Sequence, residues 1–243
     1  KLTLHLLEKL SFPQLRTLRI IGELGCFKKA PSFLPLILDC AASLEHLFVH
    51  DMSDRDIDKF EVPAGYSNGT LCFPALWSIE LHYSHPFLRE FLPRCEAPRL
   101  QHLQLVHMAG QSDLTGLLLS CKDTLQTLKL IASDRAETKR LMLHFRASAP
   151  VAFPQLTDIN LRFCDGLSGL SLVSAPQLRS LILADVPGQI SLAPLLESCR
   201  DSLRFLVLYK CPEVTLPLPE GAVLELPGLT NAGVVDCPKF DTK

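Results

Sequence analysis

The template Leu-x-x-Leu-x-Leu, with other apolar residues allowed at the second and third anchors, recurs along the whole chain. Its first anchors are Leu15, Leu44, Leu76, Leu100, Leu125, Leu156, Leu178, Leu203 and, more weakly, Leu229. Neighbouring anchors lie 22 residues apart at the closest, from Leu156 to Leu178, and 32 at the widest, from Leu44 to Leu76. A period of that length marks one small structural unit laid beside the next. No such unit buries its own apolar face, so each needs its neighbours. Within the template the apolar residues alternate with period two, which predicts a short strand whose anchors point inward and whose intervening residues point out.

The segment leading into each template is of two kinds. Six are entered through proline, at Pro13, Pro74, Pro98, Pro154, Pro176 and Pro227. Proline fixes φ and drives the preceding residue to an extended conformation, which stops a helix and starts a strand. The other three, at Leu44, Leu125 and Leu203, follow an apolar run ending in cysteine. "LLLSCKDTLQTLKL" from Leu117 and "LLESCRDSLRFLVL" from Leu195 share eight of fourteen residues. From Leu76 onward the order Phe-Pro, Ala-Pro, Cys-type occurs twice, as duplication of a three-unit block would leave it.

Helices are expected on the return path. Ser112-Asp113 predicts a capped helix through Cys121. Pro31 can begin a short or broken one through Cys40, and Ala136–Phe145 reads as a clear helix. The unit from Leu156 is too short for one. Leu2–Leu7 looks like the remnant of an earlier strand, and residues 53–70 form a long, solvated insertion. Its Asn68-Gly69-Thr70 sequon carries no weight in a reducing compartment.

Nine cysteines in 243 residues is an odd count. Their placement needs no bridges. Cys40, Cys72, Cys121 and Cys199 stand four residues before an anchor; Cys164, Cys211 and Cys237 stand eight after one. The second position suits a small side chain that hydrogen-bonds turn backbone from inside. Free thiols point to cytoplasm or nucleus. A hydrophobic fraction of 47% with 21% charged residues describes a folded chain, and a net charge near −2 gives no pull toward nucleic acid or an anionic membrane. No apolar run approaches the roughly 18–20 residues of a membrane span. The start at Lys1 suggests a piece of a longer protein.

The phrases "FPQLRTLRI" from Phe12, "FPQLTDINL" from Phe153 and the cysteine-type lead-in from Leu195 resemble the leucine-rich repeat region of F-box proteins, the fungal ones in particular. The spacing agrees with the roughly 20–29 residues of such repeats. The resemblance covers about the whole chain. It implies an α/β fold: one right-handed, curved solenoid over residues 1–243 of about nine irregular repeats, with parallel strands on the concave face and helices and loops on the convex face. It also implies a substrate-recognition role in an SCF-type ubiquitin ligase, whose adaptor would dock on an F-box upstream of Lys1. The runner-up is a freestanding adaptor or inhibitor that binds a partner protein without any ligase role.

The outward residues define the candidate surface. His46, Phe48, His50, Glu80, His82, Tyr83, His102, Gln104 and His107 belong to three successive units and predict a polar-aromatic, partner-binding patch. Phe205, Val207 and Tyr209 form a second, apolar candidate on one strand. His50, His82 and Glu80 could in principle hold zinc with one position open, but an open surface without supporting partners argues against it, and no metal or cofactor is expected. No nucleophile, metalloprotease or phosphate-loop motif occurs, so no catalytic residue is assigned.

Overall fold

The computed structural model describes residues 11–22, 34–51, 69–83, 91–108, 110–132, 141–146, 149–218 and 223–240. The protein is α/β, with a nine-stranded parallel sheet and few helices. The strands are β1 (Thr17–Gly22), β2 (His46–Asp51), β3 (Ser78–His82), β4 (His102–Met108), β5 (Thr127–Ala132), β6 (Asp158–Arg162), β7 (Ser180–Ala184), β8 (Phe205–Tyr209) and β9 (Asn231–Val235). They lie side by side in chain order. Every one starts two residues after its anchor leucine. The register keeps that frame from Thr17 opposite His46 to Phe205 opposite Asn231, with one shift at the end of β4, where Met108 rather than His107 pairs with Ala132. A slip of one residue would turn the apolar set out to solvent, so burial of one face fixes the pairing.

Burial follows the alternation. Leu47 and Val49, Ile79 and Leu81, Leu103 and Leu105, and Leu181 and Leu183 are fully buried, as are the anchors from Leu44 to Leu125. Leu15 and Leu229, at the two ends of the row, are only partly covered. Ser78 and Val106 stand in outward columns and are nevertheless buried. The larger His46 and His102 flank Ser78 in register and close over it.

The thrice-written cysteine phrase has a mechanical reason. Three short helices, α1 (Leu34–Asp39), α2 (Thr115–Ser120) and α3 (Ala193–Ser198), each end just before its cysteine. The last helical side chain accepts the N–H of the residue before the preceding unit's proline. Ser120 Oγ takes Ala97 N–H at 3.1 Å, Ser198 Oγ takes Ala175 N–H at 2.9 Å, and the Asp39 carboxylate takes Phe12 N–H. The residue before the anchor ties back as well. Thr124 Oγ1 lies 3.0 Å from Pro98 O and 2.9 Å from Leu100 O, and Ser202 Oγ lies 2.8 Å from Leu178 O. Ser43 Oγ makes the same bond to Pro13 O at 2.8 Å. Proline has no N–H of its own, so its neighbour's N–H and its carbonyl are what the next unit must satisfy. Where a second proline unit follows instead, backbone takes over: Phe73 N–H donates to Glu96 O, and Phe153 N–H to Ser174 O, both at 2.8 Å.

A second regular feature closes each strand. Tyr83, His107, Phe163, Asp185, Lys210 and Asp236 all have φ between 50° and 56°. Each stands seven residues after its anchor. The left-handed residue turns the chain inward, and the N–H of Tyr83, Phe163, Asp185 and Lys210 still donates to the neighbouring strand. After His107, Phe163, Asp185, Lys210 and Asp236 the next residue, Met108, Cys164, Val186, Cys211 or Cys237, is buried in the core. At Cys164 and Cys211 the thiol reaches back to carbonyls, Cys164 Sγ at 3.2 Å from Leu130 O and Cys211 Sγ at 3.5 Å from Leu183 O.

The return path departs from expectation in three places. Ser112-Asp113 belongs to a strand, Gly110–Asp113, and α2 begins at Thr115; the Asp113 carboxylate still caps it by accepting Thr115 N–H at 2.9 Å. Leu141–His144 is a strand rather than part of a helix, paired between Gly110–Asp113 and Cys164–Asp165. Its own alternation shows why: Leu143 is fully buried while Met142 is exposed, and two open strand edges outweigh local helix preference. The unit from Leu156 has no α-helix, only a 3₁₀ turn at Ser168–Leu172. The expectations for residues 2–7, 31, 53–68 and 136–140 lie outside the described residues. Among the described residues no helix is long and apolar enough to cross a membrane.

Cys72 is also a correction. It stands four residues before an anchor like Cys40, Cys121 and Cys199, yet it is exposed, while those three are buried. Its immediate lead-in is extended: Leu71–Cys72 is a two-residue strand that turns Leu71 in and Cys72 out. Burial pushes the Cys121 and Cys164 thiols up to about 12, and Cys199 and Cys211 up to about 11. Thiolate is the reactive form. Among the described cysteines, iodoacetamide at neutral pH is therefore expected to label Cys72 first and the buried seven only on unfolding, read by intact and peptide mass spectrometry. Labelling of Cys164 as fast as Cys72 would contradict the packing.

Candidate interaction face

The open face of β2, β3 and β4 carries the predicted histidines in contact. Parallel pairing puts equivalent residues side by side, His50 against His82 and Phe48 against Glu80. The His50 and His82 ring centroids are 5.3 Å apart, and Phe48 is 5.7 Å from His82. Tyr83 and His107 join through their left-handed backbone. Each strand's last turn throws its ring sideways, so Tyr83 stacks on His107 at 4.8 Å with planes 12° apart. His50 stacks on the other side of Tyr83 at 5.8 Å and 16°. Three rings from three strands thus form one short ladder.

The opposite end of the same strands holds a second cluster. Trp77 stacks on His46 at 5.7 Å and meets His102 edge-on at 5.8 Å. Nδ1 of His46 is buried without a hydrogen-bond partner. His102 Nδ1 lies 3.3 Å from Thr127 Oγ1, and burial moves its pKa below the ordinary imidazole value. Gln104 stands in register between Glu80 and Lys129.

Charge on the face is sparse. Glu80 Oε1 and His82 Nε2 are 2.7 Å apart, with both side chains roughly three-quarters covered. Arg19 on β1 places its guanidinium 4.8 Å from the Phe48 centroid, a cation held over a ring. Among the described residues no group of three His, Cys, Asp or Glu side chains is arranged to hold a metal ion.

Two contributors escaped the sequence reading. Arg19 stood in the outward columns but not in the patch, because its partner Phe48 belongs to the next unit. Trp77 precedes the first outward column by one residue and was passed over. It is the single tryptophan of the chain and is 39% exposed, and that pairing of rarity and position was the available signal. The second candidate is less open. Phe205 and Val207 are half-buried, Tyr209 is 38% exposed, and β9 lies beside them with Val235 opposite Tyr209.

Comparison with protein-family models, with curated proteins and with solved structures finds no match to this chain. The face itself therefore carries the functional argument. It offers aromatic area, imidazole donors and acceptors, and one guanidinium, on a rigid sheet. Such a surface suits recognition of another protein, where aromatic and arginine side chains dominate binding energy.

Proposed function

We propose that the protein is a protein-recognition module, most specifically the substrate-binding region of an F-box subunit of an SCF-type ubiquitin ligase. In this reading the fold is a right-handed leucine-rich repeat solenoid, and the open face of the nine strands is its concave side. The observation that carries the recognition role is the continuous aromatic and imidazole surface across β2, β3 and β4, with His50, Tyr83 and His107 stacked. The narrower ligase assignment rests on the resemblance of the Phe-Pro and cysteine-type phrases to the repeat region of F-box proteins. Transfer chemistry would belong to other subunits, and this chain would carry no catalytic residue. Free buried thiols support a reducing compartment, cytoplasm or nucleus.

The test is quantitative mass spectrometry of what co-purifies with the full-length protein from its own cells. Stoichiometric SCF adaptor and cullin are expected, together with one or more enriched substrates. A retained partner without adaptor or cullin would replace the ligase reading by that of a freestanding adaptor or inhibitor. Replacing His50, His82 and His102 together by Ala is expected to release the partner by at least about tenfold, as loss of a central cluster does. A partner retained at full yield by a folded triple variant would remove the patch from the binding site.

A further inference from the structure

We propose that the face formed by β1 to β5 takes an extended acidic segment of its protein partner, clamped between Arg19 and Lys129. This rests on the reading of the open face as a partner-binding surface and names the chemistry it selects. Register places Arg19, Phe48, Glu80, Gln104 and Lys129 in one row across five strands. With strands about 4.8 Å apart, the row runs about 19 Å, the length of about six extended residues.

The row carries a cation at each end and one carboxylate, Glu80, in the middle. Glu80 is engaged by His82 at 2.7 Å. The next carboxylate along the sheet, Asp158 on β6, accepts the Thr157 hydroxyl at 2.7 Å. Among the described residues neither Arg19 nor Lys129 pairs with a carboxylate; Arg19 rests on Phe48, which holds it without cancelling its charge. The groups flanking this row on β2 to β4 are His46, His50, His82, Tyr83, His102 and His107. Between the two cations stand an aromatic ring and the Gln104 amide. They suit an apolar side chain and the backbone of a segment whose carboxylates lie near its two ends.

The test uses a capped heptapeptide with glutamates at both ends and a central phenylalanine, and its twin with glutamine for glutamate. Trp77, next to the row and unique in the chain, reports docking by its own emission. Saturable binding of the acidic peptide is expected, with the glutamine twin weaker by at least about tenfold, since two ion pairs on a partly desolvated face are lost. Affinity is expected to fall between about 50 mM and about 500 mM salt. Arg19→Gln with Lys129→Gln is expected to erase the preference for the acidic peptide, while Lys122→Ala, remote from the row, leaves it unchanged. Absence of saturable binding, equal binding of the two peptides, or an unchanged preference in a folded Arg19→Gln, Lys129→Gln variant overturns the proposal. If co-purification meanwhile yields a partner released by the triple histidine variant, the face remains a recognition surface and its partner is not acidic there.

Discussion

Gly169→Ala is expected to lower the unfolding free energy by about 2–4 kcal/mol, in the range of substitutions that force backbone apart inside a packed core. A β-carbon on Gly169 would stand 2.3 Å from Phe145 O and 2.8 Å from the Phe145 ring. Neither can retreat easily. The carbonyl already accepts Gly169 N–H at 3.1 Å, and the ring is buried to 1%. Interiors are close-packed, so the strain must spread into the 3₁₀ turn or the strand beneath it. Gly69→Ala is the matched control, with nothing within 4 Å of the added carbon. It is expected to be neutral or to stabilise by up to about 1 kcal/mol through the unfolded chain. Urea unfolding of both variants, with an unchanged slope, reads the difference. Equal midpoints would mean that the approach of Ser168–Leu172 to Phe145 is looser in solution.

The nine strands were legible because their signal is redundant. Each anchor leucine, its partners three and five positions on and its neighbour one unit away all demand the same frame, so an error in one unit is corrected by the next. The return path has no such redundancy. Ala136–Phe145 has the composition of a helix, and its Leu141–His144 portion became a strand only because Gly110–Asp113 and Cys164–Asp165 offer it two edges. That information lies in other units, beyond the reach of a local pattern.

The candidate face shows the same division. Column positions gave the residues of the patch, since they follow from the strand period alone. Ring contacts did not follow, because they depend on the left-handed turns at Tyr83 and His107, with φ of 54° and 53°. Non-glycine residues rarely adopt that conformation, and nothing in their side chains announces it. Cys72 failed for a related reason. The spacing to its anchor matched the buried cysteines, but Cys72 lies on the outward side of a two-residue strand rather than just after a helix.

Phe153→Ala should cost about 3–5 kcal/mol, the usual loss for a large ring removed from a core. Phe153 is 3% exposed and meets Phe145 edge-on at 6.3 Å. Both rings line a small apolar cavity with Leu118, Leu125 and Leu128, so the truncation would enlarge an existing void rather than let the core close. Phe12 opens the same Phe-Pro phrase but is 38% exposed, and Phe12→Ala is expected to cost no more than about 1 kcal/mol. In the two Ala-Pro units the equivalent position is Ala97 or Ala175, both fully buried. There the following unit brings a helix whose Ser120 or Ser198 reaches over to the alanine N–H. Ala175→Phe should therefore also destabilise, by about 1–3 kcal/mol, through overpacking against α3. Thermal and urea unfolding of the three variants would rank them Phe153→Ala, Ala175→Phe, Phe12→Ala. From Leu76 onward phenylalanine precedes proline where another proline unit follows, and alanine where a helix follows, and the three-unit alternation in the sequence is the record of that constraint; Phe12, exposed and followed by α1, stands outside it.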